Sequence, residues 1–320
     1  MTLDKLQYSE AKDTRSGFGA ALKVLGEQNP NVVVLCADLT ESLKMEAFQK
    51  AFPERFFNTG IAEANMISLA AGMAIGGKIP FTGTFANFST GRVYDQIRQS
   101  VCYSDTNVKI CASHAGISLG EDGATHQILE DLGMMKMLPG MTVINTADYN
   151  QTYAATLAIA DFKGAVYLRF GRPVVPNFYP LDQKFEIGKA WHLQSGSDVS
   201  IIATGHLLNP AIEATLELAK MGISAELINI HTLKPLDAKA ILDTVQKTGA
   251  VVTAEEHMYN GGLGDSVAQL LAQHAPHPME YVAINDQFGQ SGKPQELMDL
   301  YGLNTKGIVE AAKRSIARKK

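Results

Sequence analysis

One glutamate, Glu63, lies near the start of the small-residue segment FFNTGIAEANMISLAAGMAIGG (56–77), which is otherwise almost free of charge. Desolvation penalises an ionised carboxylate, so a buried one is costly unless something uses it. Hydrogen bonding to a heteroaromatic ring nitrogen, with proton exchange, would be such a use, and a helix N-terminus would offset part of the cost. With Gly60 as N-cap, Glu63 falls at the third helical position, where glutamate also serves a capping box; Gly60 has no side chain to complete one. Phe85 and Phe88 follow in TFANF, where aromatics either fill a core or floor a site for a flat ring. Next comes SHAGISLGEDGATHQ (113–127), which carries His114, Asp122 and His126 among three glycines suited to tight turns. These side chains fit polyol hydroxyls or a phosphate. Metal ligation is the rival reading, but a fourth spaced ligand is missing and Asp122 sits in a turn-forming EDG. Arg15, Ser42, Arg92 and Arg172 lie outside these segments and read first as surface or salt-bridge residues. Arg172 is the best of them for phosphate, because it follows the strand-like run AVYLRF and a guanidinium binds phosphate in a bidentate manner.

Such residues need elements to hold them. The runs at 32–37, 79–85, 108–113, 141–146 and 165–170 are β-branched and read as buried strands. Helical spacing or composition occupies 16–28, 43–51, 62–76, 91–103 and 148–161 between them. This alternation predicts a parallel sheet covered on both faces, with ligands beyond the carboxyl ends of its strands. The segment RPVVPNFYPLDQ (172–183), with three prolines, breaks the pattern and is the expected boundary. A second α/β unit follows, with strands at 199–205, 224–230, 250–256 and 279–284 and helices at 207–221, 237–247, 263–274 and 304–317. The expected fold is therefore α/β, two open α/β domains covering 1–178 and 179–320.

The 320 residues, 46% hydrophobic, suffice for two ordinary cores. A net charge of -5 and no long basic block argue against nucleic-acid binding, and the RSIARKK end reads as a solvated helix terminus. Cys36, Cys102 and Cys111 lack CxxC spacing and read as buried free thiols in a reducing compartment. The polar N-terminus and the lack of an apolar run near the ~20 residues of a membrane span predict a soluble cytoplasmic protein without a membrane partner. There is no GxGxxG after the first strand, no GxxxxGK[ST], and no GDG with a following Asn; GGLG (261–264) is a weak glycine cluster.

The segments IAEANM, TFANF, YDQIR, SHAGISLGEDGATHQ and SGKPQELMDLYGLN resemble the C-terminal half of transketolases, from about residue 13 to about residue 315. Transketolases have a diphosphate-binding domain, a pyrimidine-binding domain and a C-terminal domain, and the first is missing here. The resemblance thus implies the C-terminal subunit of a split transketolase, with a thiamine-diphosphate pyrimidine-binding domain followed by the transketolase C-terminal domain. An N-terminal partner subunit would carry the diphosphate and the Mg²⁺ ligands, so no metal ligand is expected here. A homodimer within a heterotetramer is also implied. The implied reaction moves a two-carbon ketol unit from a ketose phosphate to an aldose phosphate.

By that resemblance Glu63 contacts N1′ of the thiamine aminopyrimidine, Phe88 stacks on the ring with Phe85 beside it, and His126 lies near the cofactor. Glu63, His114 and His126 form the implied catalytic set. Asp122 reads a sugar hydroxyl, and Arg15, Ser42, His114 and Arg172 bind the distal phosphate. FSTGRVYDQIR is shifted relative to the family around Gly91, which leaves the role of Arg92 open and puts an aromatic near the cofactor in doubt. His257 in EEHMYNGGLGD is taken as structural, near a subunit contact. The alternatives are the β subunit of a 2-oxo acid dehydrogenase, deoxyxylulose-phosphate synthase, a split transketolase specialised for apulose phosphate or a sulfo-sugar, and a non-catalytic scaffold.

Overall fold

In the computed structural model, the dense apolar runs form parallel strands and the polar-punctuated segments between them form helices. The structure describes Leu3, residues 6–181 and residues 183–319, so most of the MTLDK start and the last lysine of RSIARKK lie outside the described residues. The strands of the first half are β1 (Ser9–Asp13), β2 (Val32–Cys36), β3 (Phe56–Asn58), β4 (Ile79–Phe85), β5 (Lys109–Ser113), β6 (Thr142–Asn145), β7 (Val166–Arg169) and β8 (Val174–Asn177). Those of the second are β9 (Trp191–Gln194), β10 (Val199–Ala203), β11 (Ala225–Asn229), β12 (Thr232–Lys234), β13 (Val251–Met258) and β14 (Met279–Ile284). Helices α1 (Thr14–Gln28), α2 (Glu46–Ala51), α3 (Glu63–Ile75), α4 (Ala86–Ser89), α5 (Tyr94–Gln96), α6 (Asp131–Met137) and α7 (Tyr149–Asp161) accompany the first set. Helices α8 (Leu208–Lys220), α9 (Ala238–Thr248), α10 (Leu263–His274), α11 (Pro294–Leu300) and α12 (Thr305–Ala317) accompany the second.

A seven-stranded sheet runs β12-β6-β7-β5-β4-β2-β3 and a five-stranded sheet runs β14-β13-β10-β11-β9. Both are parallel except for one antiparallel edge strand each, β12 and β9. Every residue of β2, β5 and β10 is buried, as strands covered on both faces require. In the first sheet the strand order reverses between β2 and β4, and the site gathers at the carboxyl ends there. The proline-rich segment 172–183 contains β8, which turns back to pair with β1 in a separate two-stranded ribbon.

The expectation of two separate cores needs correcting. One cluster of buried apolar side chains joins both halves, with Val33, Ile110 and Tyr167 from the first and Ile228, Leu233 and Leu263 from the second. β12, although in the second half of the chain, pairs with β6 and extends the first sheet. The 91–103 stretch is not one α-helix but a 3₁₀ turn (Gly91–Val93), α5 and a π-helix (Ile97–Tyr103). The basic C-terminal end is more than a solvated terminus, since Arg314 and Arg318 both reach Glu280. Cys36 and Cys111 are buried free thiols and Cys102 is half-buried. No helix of the described residues is long and apolar enough to cross a membrane.

Candidate active site

Glu63 is the first residue of α3, not the third: the N-cap is Ala62, which offers no side-chain hydrogen bond. The carboxylate is only 3% exposed, as its neutral surroundings implied. It does not stand alone, however. Arg92 Nη1 donates to Glu63 Oε1 at 2.7 Å, from the short 3₁₀ turn after α4. The Arg92 guanidinium also lies over the Phe88 ring, with Cζ 4.1 Å from its centroid, as a cation on a π face. The role left open for Arg92 is thereby given a geometry: one side chain links the acid to the aromatic floor.

That floor is continuous. Phe85, at the carboxyl end of β4, and Phe88, on α4, stack with centroids 5.9 Å apart and planes 14° from parallel. His114, just beyond β5, stacks on Phe85 at 3.9 Å, and His126 meets the Phe88 ring edge-on at 5.5 Å. His114 is held tightly: its backbone is left-handed (φ 57°), its Nδ1 is engaged by Ser113 Oγ, and the residue is 4% exposed. A non-glycine residue in that region is strained, and such strain concentrates at functional sites. Burial, then the nearby Arg15 and Arg172 cations, push its pKa down to about 3, so the imidazole is neutral. His126 is half-buried, with Nδ1 hydrogen-bonded to Thr125 Oγ1 at 3.0 Å.

Arg15 and Arg172 are near enough to His114 to disfavour its protonated form. Arg15 Nη1 donates to the Ser42 carbonyl at 3.0 Å, so Ser42 enters through its backbone, and Nε pairs with Asp13 at 3.1 Å. Arg172 Nη1 donates to the Leu119 carbonyl at 2.7 Å and to Glu121 at 3.0 Å. The structure thus brings Glu63, Phe85, Phe88, His114 and His126 into one chain of contacts, with Arg15, Ser42 and Arg172 at its His114 end. Asp122 is exposed in its loop and makes no side-chain hydrogen bond among the described residues. Among the described residues no three His, Cys, Asp or Glu side chains are grouped to hold a metal ion.

The loop that carries His114 is clamped by the second half of the chain, a role that sequence reasoning missed. Glu256, buried on β13, accepts from Ser118 N at 2.6 Å. Burial raises its pKa, and Arg169 opposes that rise. Gly116 (φ 81°) passes directly over this carboxylate, where a Cβ would collide. The neighbouring Glu255 accepts from Leu263 N and Gly264 N, both at 2.7 Å, and so caps α10. The GGLG cluster is therefore filled by the chain's own carboxylate, and a Cβ on Gly262 would strike it. His257 is fully buried, accepting from Gly133 N at 3.3 Å and donating from Nδ1 to the Met258 carbonyl at 2.8 Å. The contact it makes is between the two halves of this chain. No sequence signal would have found these links, because Ser118 and Glu256 are 138 residues apart.

Comparison with known proteins follows the same division. The family models for "Transketolase, pyrimidine binding domain" and "Transketolase, C-terminal domain" match residues 10–177 and 188–308. A relative named as a transketolase C-terminal section in Methanocaldococcus jannaschii is 44% identical over 302 residues, covering 93% of this chain and 95% of the relative. The 6-deoxy-6-sulfo-D-fructose transketolase subunit of a Clostridium species is 42% identical over 315 residues, covering 98% and 97%. Human transketolase is 36% identical over 309 residues, and the match spans 95% of this chain but 49% of the human protein. Among solved structures, a split-gene transketolase described as an inactive β4 tetramer has a TM-score of 0.90 at 44% identity, covering 97% of this chain and all of that one.

Proposed function

Because the chain belongs to the transketolase family, we propose that it is the C-terminal subunit of a split transketolase, divided into a pyrimidine-binding domain (1–178) and a C-terminal domain (179–320). Transketolases in general use thiamine diphosphate with a divalent metal. One observation carries the reading for this chain: a buried carboxylate and a stacked aromatic floor are bridged by a planar N–H donor, the Arg92 guanidinium. A surface that accepts a flat cation on Phe88 with an N–H toward Glu63 fits an aminopyrimidine.

When bound, thiamine diphosphate supplies the nucleophilic carbon that carries a two-carbon ketol unit. The protein's part is to position and to move protons. Glu63 holds and exchanges a proton at the ring nitrogen in a site shielded from water. Phe85 and Phe88 fix the ring plane. His114, neutral because of burial, hydrogen-bonds substrate hydroxyls without adding charge. His126 closes the floor at the Phe88 end. Arg15 and Arg172 supply two guanidinium groups for the distal anion of the sugar, with Ser42 and Asp122 at the rim.

The partner is an N-terminal transketolase subunit. Ile61 (78% exposed), just before α3, and Leu69 (42%), on α3, are exposed apolar side chains on a segment whose one charged residue is Glu63, and we assign them to subunit contact. The isolated chain is then inactive, consistent with the inactive tetramer of the similar split-gene protein. A second reading of the substrate, a sulfo-sugar, is favoured by the 42% identical sulfofructose transketolase subunit, since a sulfonate suits the same arginines. Pairing this chain with its N-terminal counterpart and supplying xylulose 5-phosphate, 6-deoxy-6-sulfofructose or pyruvate separates the options. Ketol transfer from either sugar supports the proposal and identifies the donor. Turnover of pyruvate alone, or full activity of the isolated chain, would overturn it.

A further inference from the structure

Arg92 makes the two contacts that an aminopyrimidine would need. Its guanidinium is planar, lies 4.1 Å above the Phe88 ring, and donates at 2.7 Å to the buried Glu63 carboxylate. Both positions cannot be filled twice. We propose that Arg92 is a built-in stand-in for the cofactor ring: it occupies Phe88 and Glu63 in the cofactor-free subunit and is ejected when the ring enters. This rests on the reading of the site given above.

Three further observations point the same way. Arg92 is 48% exposed at its side chain whereas Glu63 is 4% exposed, so the cation can leave into solvent but the carboxylate cannot follow. The Arg92 backbone belongs to a three-residue 3₁₀ turn between Thr90 and Tyr94, not to a long helix that would fix it. Just beyond lies the π-helix Ile97–Tyr103, and such wide turns frequently mark functional sites. Glu63 also gains from the exchange. A carboxylate buried at a helix N-terminus without a partner is costly, and the stand-in satisfies it until the ligand's own N–H does.

The consequence is competition within one chain. A ligand that must displace an internal group binds more weakly than it would to the same site left open, by the fraction of time the site is free. Arg92 therefore lowers cofactor affinity while stabilising the cofactor-free subunit. A residue that merely oriented Glu63 for the bound ring would have the opposite effect.

The test uses the full chain paired with its N-terminal subunit, with Mg²⁺ and thiamine diphosphate as the probe. Titration calorimetry gives Kd for wild type, Arg92→Ala and Arg92→Lys, and thermal unfolding is followed with and without saturating cofactor. The expected result for Arg92→Ala is a Kd lowered about 3- to 10-fold, with a lower midpoint without cofactor and an unchanged midpoint when saturated. Arg92→Lys keeps a cation near Glu63 but lacks the planar face, and its Kd falls between the two. An Arg92→Ala Kd that is unchanged or raised, while wild type binds, overturns the stand-in alone. Equal loss of midpoint with and without cofactor overturns it too, since that marks a structural role. Failure of the wild-type pair to bind thiamine diphosphate at all would sink the functional reading and this inference together.

Discussion

At the scale of single residues, the proposed roles of Glu63 and His114 make separate, testable demands. Glu63→Gln keeps the shape and hydrogen-bonding edge of the side chain but not its proton exchange. It is expected to lower kcat of the reconstituted enzyme by about 10²-fold or more, in the range usual for an acid–base group. The unfolding midpoint should stay close to wild type, because the partner Arg92 is half-exposed and can turn to water. A Gln variant with wild-type kcat would remove Glu63 from the chemistry. For His114 the folded pKa of about 3 lies below the ordinary 6.5, so the unfolded chain takes up the proton first. The contribution of this group to stability is therefore complete above 6.5 and is lost progressively as pH falls from 6.5 toward 3. Imidazole ¹⁵N shifts should report a neutral His114 at pH 5, and an imidazolium there would contradict the burial argument. Both residues were legible from the sequence, because an acid in an uncharged run and a histidine in a glycine loop are local anomalies. The Arg92–Glu63 pair was not legible, since it joins positions 29 residues apart through a turn that no periodicity announces.

At the scale of elements, the buried strands and the six-residue edge strand β14 could be read, whereas the shorter, peripheral strands could not. β2, β4, β5 and β10 are dense apolar runs, and each was anticipated to within a residue or two of its observed bounds. β1, β3, β8, β9 and β12 are three to five residues long, and most of them are partly exposed, so they carry no alternation strong enough to separate them from loops. Loops gain their precision from elsewhere in the chain. The left-handed Gly116 gives Glu256 room to reach Ser118, which fixes the turn behind His114. Gly116→Ala should add a steric clash to the strain of a positive φ and cost roughly 2–4 kcal/mol. Gly140, with φ 77° and open space around it, is the matched control for strain alone. Its Ala variant should lose about 1 kcal/mol, and should leave KM of the reconstituted enzyme unchanged. Gly116→Ala should raise KM, because the displaced loop carries His114 and the Leu119 carbonyl that holds Arg172. Denaturant unfolding of the two variants, with KM measured beside it, distinguishes the clash from strain. Equal losses for both would refute the clamp.

At the scale of the whole molecule, the composition correctly implied enough apolar material for two units but gave no sign that they share a core. Asp131 and Arg169 form an almost fully buried ion pair at 2.7 Å, which Tyr167 joins through its hydroxyl at 2.6 Å. Arg169 then reaches across to the Glu256 carbonyl at 2.9 Å. Asn145 meets Thr204, Gln151 meets Asn229, and β12 closes the edge of the first sheet. Such a pair contributes little net stability when complete but is costly when broken, because one charge is left buried without compensation. A fragment ending at residue 178 would keep Asp131 and Arg169 but lose Glu256, β12 and the apolar side chains of Ile228, Leu233 and Leu263 that share a cluster with Tyr167. It would also leave the loop around Ser118 without its clamp. The fragment 1–178 is therefore expected to lack a cooperative thermal transition, whereas the full chain should unfold in a single one. Circular dichroism and calorimetry on both proteins decide the matter. A fragment that melts cooperatively within a few degrees of the full chain would mean that the pyrimidine-binding half positions its site without help from the C-terminal half.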